Sequence, residues 1–198
     1  MSVLRNGLIL VLSIAALGAA DDRNFHPRPA SEYANKLTIA GLTIAADAFI
    51  TPRETKAPFG KLNPNDHGVL PVLVVMQNDS RQTLRLEQMR VEYLREDGRR
   101  IKAVPASEVR FLYGIEKPNL SGRRVPHPIP GLGKKKNPLA AEEIEGRAFS
   151  ARMLPPGDSA SGFFYFNTAP LRSAQLYITG ISEASTGQEL FFFELPLE

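Results

Sequence analysis

Residues 69 to 76 read VLPVLVVM, an apolar run closed by Gln77-Asn78-Asp79-Ser80. Its valines, leucines and methionine fall at both parities, so neither side of an extended strand is left for water. The run therefore predicts a strand buried on both faces. Pro71 cannot donate to a ladder, which predicts an edge there or a strand that starts just after it.

The chain has no cysteine. That removes a disulfide framework, a thiolate nucleophile and thiolate-bound zinc or iron–sulfur sites. The N-terminus nevertheless reads as an export signal. Arg5 precedes a predominantly apolar run of 14 residues, Gly7 to Ala20, and Gly18 and Ala20 occupy the small-residue exit positions. A membrane span needs about 20 apolar residues. Residues 1–20 are expected to be a cleaved signal peptide, and the protein to be periplasmic or extracellular. An exported domain without disulfides must then be held by its hydrophobic core. With 24 basic and 21 acidic residues the chain is close to charge balance, at +3. This, with the export signal, argues against nucleic acid as a partner.

Residues 21 to 36, with two prolines and no period, are expected to be a flexible lead-in. From residue 37 strand patterns dominate. Leu37 to Ala46 alternates across Gly41, which predicts one strand with a bulge or kink at the glycine. TPRETKAPFGKLNPNDHG, dense in proline, glycine and asparagine, is expected to be a connecting loop. Met89, Val91 and Tyr93 alternate with Arg90, Glu92 and Leu94, and Asp97-Gly98 closes a hairpin whose return strand carries Ile101 and Val104. PASEVRFLYG reads as a short helix capped by Ser107, and NPLAAEEIEG as another helical turn. RAFSARM, GFFYF, AQLYITGIS and ELFFFELPL read as further strands. The sum is an all-β chain: an immunoglobulin-like antiparallel β-sandwich of about eight strands spanning residues 37–198, with one or two short helices and one long basic loop, residues 115–145.

That loop contains RRVPHPIPGLGKKKNP, in which Arg123, Arg124, Lys134, Lys135 and Lys136 place five positive charges within fourteen residues. It is not a phosphate loop. The spacing demands glycine at Pro128 and a hydroxyl residue at Lys135, and Pro126, Pro128 and Pro130 remove amide donors. What remains is an electrostatic contact for an anionic polymer or an acidic protein face, set against a solvated loop neutralised by Glu142, Glu143 and Glu145. No cofactor motif is present.

Two stretches raise the possibility of chemistry. Gly157-Asp158-Ser159-Ala160-Ser161-Gly162 has a serine after Gly-Asp, but lacks the glycines of a protease or hydrolase elbow. A triad also needs a histidine, and only His26, His67 and His127 exist. Asp66-His67 is half of a metal site at most, since zinc requires more ligands and no calcium-loop spacing is present. The rival to a binding module is thus a hydrolase using Asp66, His67 or Asp158. A structural envelope component is the third reading. The aromatics of GFFYF and LFFFELPL alternate in direction, so any that do not pack offer a docking face.

VLVVMQNDS with LRLEQMRVEYLREDG, and ARMLPPGDSASGFFYF with AQLYITG, resemble a pattern in exported bacterial immunoglobulin-like domains. There a buried valine strand ends in an Asn-Asp-Ser turn, and a Leu-Pro-Gly-acidic-Ser turn leads into an aromatic strand. The resemblance covers residues 68–104 and 147–197. It implies a sandwich fold and an accessory, adhesion or partner-binding role, and carries over no functional residue.

Overall fold

A computed structural model of the protein describes residues 25–113 and 137–197, and within them eleven strands form three antiparallel sheets. The first sheet has the order β1 (Lys36–Ile39), β2 (Leu42–Ala48), β3 (Leu70–Asn78), β8 (Ser159–Phe166). The second has the order β11 (Phe193–Leu197), β9 (Ala174–Thr179), β5 (Arg90–Leu94), β6 (Arg100–Lys102). A small third sheet joins β10 (Ser182–Glu183), β4 (Leu84–Arg85) and β7 (Met153–Leu154).

The valine run is the centre of this arrangement. Leu70, Val72, Val74 and Met76 face the second sheet, where they meet Tyr93, Leu176, Ile178 and Leu195 in one core. Leu73 and Val75 face the other way, into a second core with Phe59, Val109, Leu139, Ile144, Phe163 and Tyr165. The fold is therefore an all-β sandwich with a third layer of short helices laid on the outer face of the first sheet. The aromatics of β8 divide as their parity requires: Phe163 and Tyr165 enter the second core, and Phe166 enters the first.

Pro71 is neither at an edge nor before the strand. It lies inside β3, opposite Tyr165 of β8 on one side and Phe49 on the other. The Phe49 amide donates to the Pro71 carbonyl at 3.0 Å. The return bond is impossible because proline has no N–H. Asn65 supplies it instead, its Nδ2 donating to the Phe49 carbonyl at 2.8 Å.

Four other expectations change. Gly41 is not a bulge but the second residue of a tight turn between β1 and β2. Ala40 and Gly41 have φ of 49° and 81°, the left-handed pair that a two-residue hairpin demands. The stretch expected to be a loop contains a helix, α1 (Pro52–Phe59), closed by a capping box. The Glu54 amide donates to Thr51 Oγ1, and Glu54 Oε2 accepts from the Thr51 amide at 2.8 Å. The expected lead-in is packed from Phe25 onward: Ala30 and Tyr33 are buried, and Phe25 contacts Phe49 and Phe163. The helix expected around residue 107 is α2 (Ala106–Val109), but Pro105 precedes it and Ser107 makes no cap bond. The turn predicted near residue 140 is α3 (Glu142–Gly146).

At the far end of β3, Asn78 is fully buried and completely used. Its Nδ2 donates to the carbonyls of Gln82 and Leu154, at 2.8 and 2.9 Å. Its Oδ1 accepts from the Ser80 amide and hydroxyl. Its backbone amide donates to Asp158 and its carbonyl accepts from Gly157. One residue, through side chain and backbone, thus ties together the end of β3, the following turn, β7 and the turn that enters β8. Asn78→Ala removes all four of these side-chain hydrogen bonds at a fully buried position and is expected to cost about 2–4 kcal/mol in urea unfolding.

Asp47 projects to the helical side of the first sheet. Burial raises its pKa, the nearby Glu54 raises it further, and Arg28 opposes both. Folding therefore favours the protonated acid, so the stability contribution of Asp47 falls as pH rises through its folded range. Asp47→Asn should raise the melting temperature at neutral pH. That gain should shrink in melts at pH values low enough to protonate the native carboxyl.

Candidate functional site

The five basic residues singled out in the sequence, Arg123, Arg124 and Lys134 to Lys136, lie outside the described residues. The chain on either side of them is described, and the two sides meet. After α2 a 3-10 turn, Arg110–Leu112, leads to Tyr113. The chain returns at Asn137, whose Nδ2 donates to the Arg110 carbonyl at 2.7 Å. Asn137 Oδ1 also accepts from the Leu139 amide at 3.0 Å, capping the Pro138–Ala140 turn. Asn-Pro at a helix start is a readable cap signal. Its second partner, the Arg110 carbonyl, could not be read from the sequence.

Around this junction the surface is mixed. Phe111 is 70% exposed, and Tyr113 meets the ring of His67 edge-on with centroids 5.6 Å apart. A cleft of about 650 Å³ opens beside them, lined by Lys61, Asp66, His67, Asn137, Glu142 and Glu143 among others. Glu145, expected to neutralise the basic loop, pairs with Arg110. Glu142 and Glu143 remain on the cleft wall.

Of the residues of the rival enzymatic reading, Asp66 and His67 share the cleft, and Asp158 is not brought to them. Asp66 Oδ1 accepts from Asn63 Nδ2 at 2.8 Å within a 3-10 turn at Pro64–His67, just before β3. Asp158 sits beyond the opposite end of that strand, where its carbonyl accepts from Asn78. Eight residue steps along β3 separate the two by roughly 26 Å. Ser159 and Ser161 pair with Gln77 and Val75 in the sheet, and the cavity beside them is lined by Arg28 and Gln77, with no histidine. Among the described residues no group of three or more histidine, aspartate or glutamate side chains is placed to hold a metal ion.

The GDSASG stretch has a structural use. Gly157 turns the chain at φ 79°. Gly162 lets residues 147–149 lie against β8, where the Phe163 amide donates to the Arg147 carbonyl and the Phe149 amide to the Phe163 carbonyl. A Cβ at Gly162 would come within 2.4 Å of the Phe149 Cα. Residues 147–149 thereby cover an edge of the sheet that would otherwise be open.

A second exposed surface lies on the outer sheet. Phe192 stacks on Tyr177 with centroids 5.3 Å apart, the Arg100 guanidinium sits 4.2 Å from the Tyr177 ring centre, and Arg100 pairs with Glu92 at 3.2 Å. Phe191 beside them is 79% exposed. The sequence placed Phe191 to Phe193 in one strand, but only Phe193 is in β11, and it is buried.

The arrangement defines an all-β sandwich with a layer of short helices on one face. Among the described residues no helix is long and apolar enough to cross a membrane. No family model matches the chain, and no curated protein matches it by sequence. Three solved structures are similar in outline. The yjhA protein from Bacillus subtilis has a TM-score of 0.40 and 8% identity, covering 84% of this chain and 98% of that one. A secreted protein from Mycobacterium tuberculosis, MPT63, has a TM-score of 0.35 and 13% identity, covering 80% and 91%. A conserved hypothetical protein from Bacillus anthracis has a TM-score of 0.35 and 9% identity, covering 82% and 92%. Likeness at this level carries nothing about function.

Asn137→Ala removes both a cap and the bond that joins the two sides of the loop. It should lower stability by about 1–2 kcal/mol in urea unfolding.

Proposed function

We propose that this protein is an exported, immunoglobulin-like, non-catalytic β-sandwich that binds an acidic protein face or an anionic envelope polymer through its basic loop. The reading is supported above all by the junction of Asn137 with the Arg110 carbonyl. It fixes both roots of a segment holding five cationic side chains to a packed helical layer. A binding loop on a rigid scaffold loses less freedom on contact than one on a mobile base. Exposed Phe111 and Tyr113 stand next to the roots, and such rings supply apolar contact area beside the charges. Attraction from Arg123, Arg124 and Lys134 to Lys136 would bring in the partner, and salt would weaken it.

Cross-linking in cells, followed by mass spectrometry of the attached species, tests this. The native chain should retain a partner joined near residues 123–136. The triple charge reversal Lys134→Glu, Lys135→Glu, Lys136→Glu should lose it while melting at an unchanged temperature. A partner that survives the reversal would remove the loop from the interface. A hydrolytic activity abolished by Asp66→Ala or His67→Ala would replace binding with catalysis.

A further inference from the structure

A cavity of about 500 Å³ opens at the end of the sandwich where β2 and β11 finish and β3 begins. It shares no lining residue with the cleft at the loop base. Its walls are apolar: Ala48, Leu70, Leu197 and the ring of Tyr93 line it, with Pro170 and Leu171 across the mouth. Ile50 and Leu171 on its rim are 43% and 38% exposed, although both are large aliphatic side chains. A concave apolar site of this size with few polar groups is the usual form of a small-molecule pocket.

Two buried polar atoms there are donors without acceptors. Tyr93 is 1% exposed. Its hydroxyl oxygen accepts from the Leu171 amide at 2.9 Å, but its own proton has no acceptor among the described residues. Next to this cavity is a second one, of about 470 Å³, and the two share Leu171 and Arg172. The second is lined by Arg95, Glu96 and Asp97. Arg95 Nε is buried and has no hydrogen-bond partner. Asp97 lies 3.4 Å from both Arg95 and Arg99 and is occupied by them, which leaves Glu96 as the negative group opposing the arginines. Ser173, immediately after Arg172, is held at φ 57°. That strained backbone is seldom adopted by a non-glycine residue without a reason in the surrounding structure.

We infer that the paired cavities bind a single-chain anionic amphiphile, with its alkyl chain between the sheets and its carboxylate at Arg172 and Arg95. A carboxylate only accepts hydrogen bonds, so it matches a site whose buried polar atoms are unspent donors. Arginine is suited to planar recognition of such a group. A neutral hydrocarbon would fill the apolar part and leave the donors unmet, whereas a hydrophilic anion would leave the apolar walls unused.

Calorimetric titration of the purified protein with dodecanoate, below the concentration at which it forms micelles, tests the inference, with dodecanol as the neutral control. Dodecanoate should bind saturably at one per chain, and more tightly than dodecanol. Arg172→Glu changes an exposed side chain and should weaken dodecanoate by about tenfold or more without changing the melting temperature. Ala48→Phe should block binding. If that variant does not fold, Ile50→Glu on the exposed rim should weaken dodecanoate instead. Three results would overturn the assignment: no saturable binding, equal affinity for the alcohol, or an Arg172→Glu variant that binds dodecanoate as well as the native chain.

Discussion

A strand with apolar side chains on both faces cannot be stable at the surface of anything. Leu70, Val72, Val74 and Met76 need one layer, and Leu73 and Val75 need another. Most of the molecule can be read as the response to that demand. The second sheet covers one face of β3. The other face is covered by short helices rather than by a sheet, each contributing an anchor: Phe59 from α1, Val109 from α2, Leu139 from the turn after Asn137, and Ile144 from α3. Tyr165 fastens this layer, its buried hydroxyl donating to the Ile144 carbonyl at 2.7 Å. Burial raises the pKa of that phenol, so it remains a donor throughout the physiological range.

Central strands also have to end, and both ends of β3 are completed by asparagine. At the start, Asn65 gives the Phe49 carbonyl the hydrogen bond that Pro71 cannot. At the finish, Asn78 satisfies two carbonyls, an amide and a hydroxyl at once. At residue 78 the primary amide both donates and accepts from one planar group, whereas at residue 65 only its Nδ2 is used and Oδ1 is buried without a partner. An aspartate at residue 78 would direct a negative oxygen at the carbonyls of Gln82 and Leu154.

The parts of the fold legible in the sequence are those where each residue states its own environment. β3, the alternation of β5 and the Asp97-Gly98 turn are local patterns, and the structure keeps them. Thr51-Pro52-Arg53-Glu54 was equally local. It carries a complete helix-start signal that the surrounding prolines and glycines concealed. Phe25 and Tyr33 were not legible, because a segment anchored by separate aromatics has no period. The site was legible only as charge. Arg123 to Lys136 announce a basic loop, but nothing in the sequence places Asn137 on the Arg110 carbonyl. Nor could it show that Arg95 and Arg172, far apart in the chain, line one cavity. Those are consequences of where strands end, and strand ends depend on the whole sheet.

The contrast between Asn78 and the Tyr93–Arg95 region bears on where a ligand would act. At Asn78 every donor and acceptor is matched, and the environment is as closed as the apolar core around it. At the other end of the sandwich a buried phenol proton and a buried guanidinium nitrogen face neighbours that offer nothing to accept them. Burying such groups unpaired is costly, and an apolar replacement of the same shape would avoid the cost. Unmatched buried atoms also occur at Asn65 Oδ1 and Arg110 Nε, but at this end they adjoin an open apolar cavity behind a strained Ser173. A bound acceptor would lower the free energy of the folded chain by meeting a demand the fold leaves unmet, and so ligand binding and stability would rise together at this end of the sandwich. The base of the basic loop holds one such atom as well, Arg110 Nε, in a side chain whose terminal nitrogen is paired with Glu145.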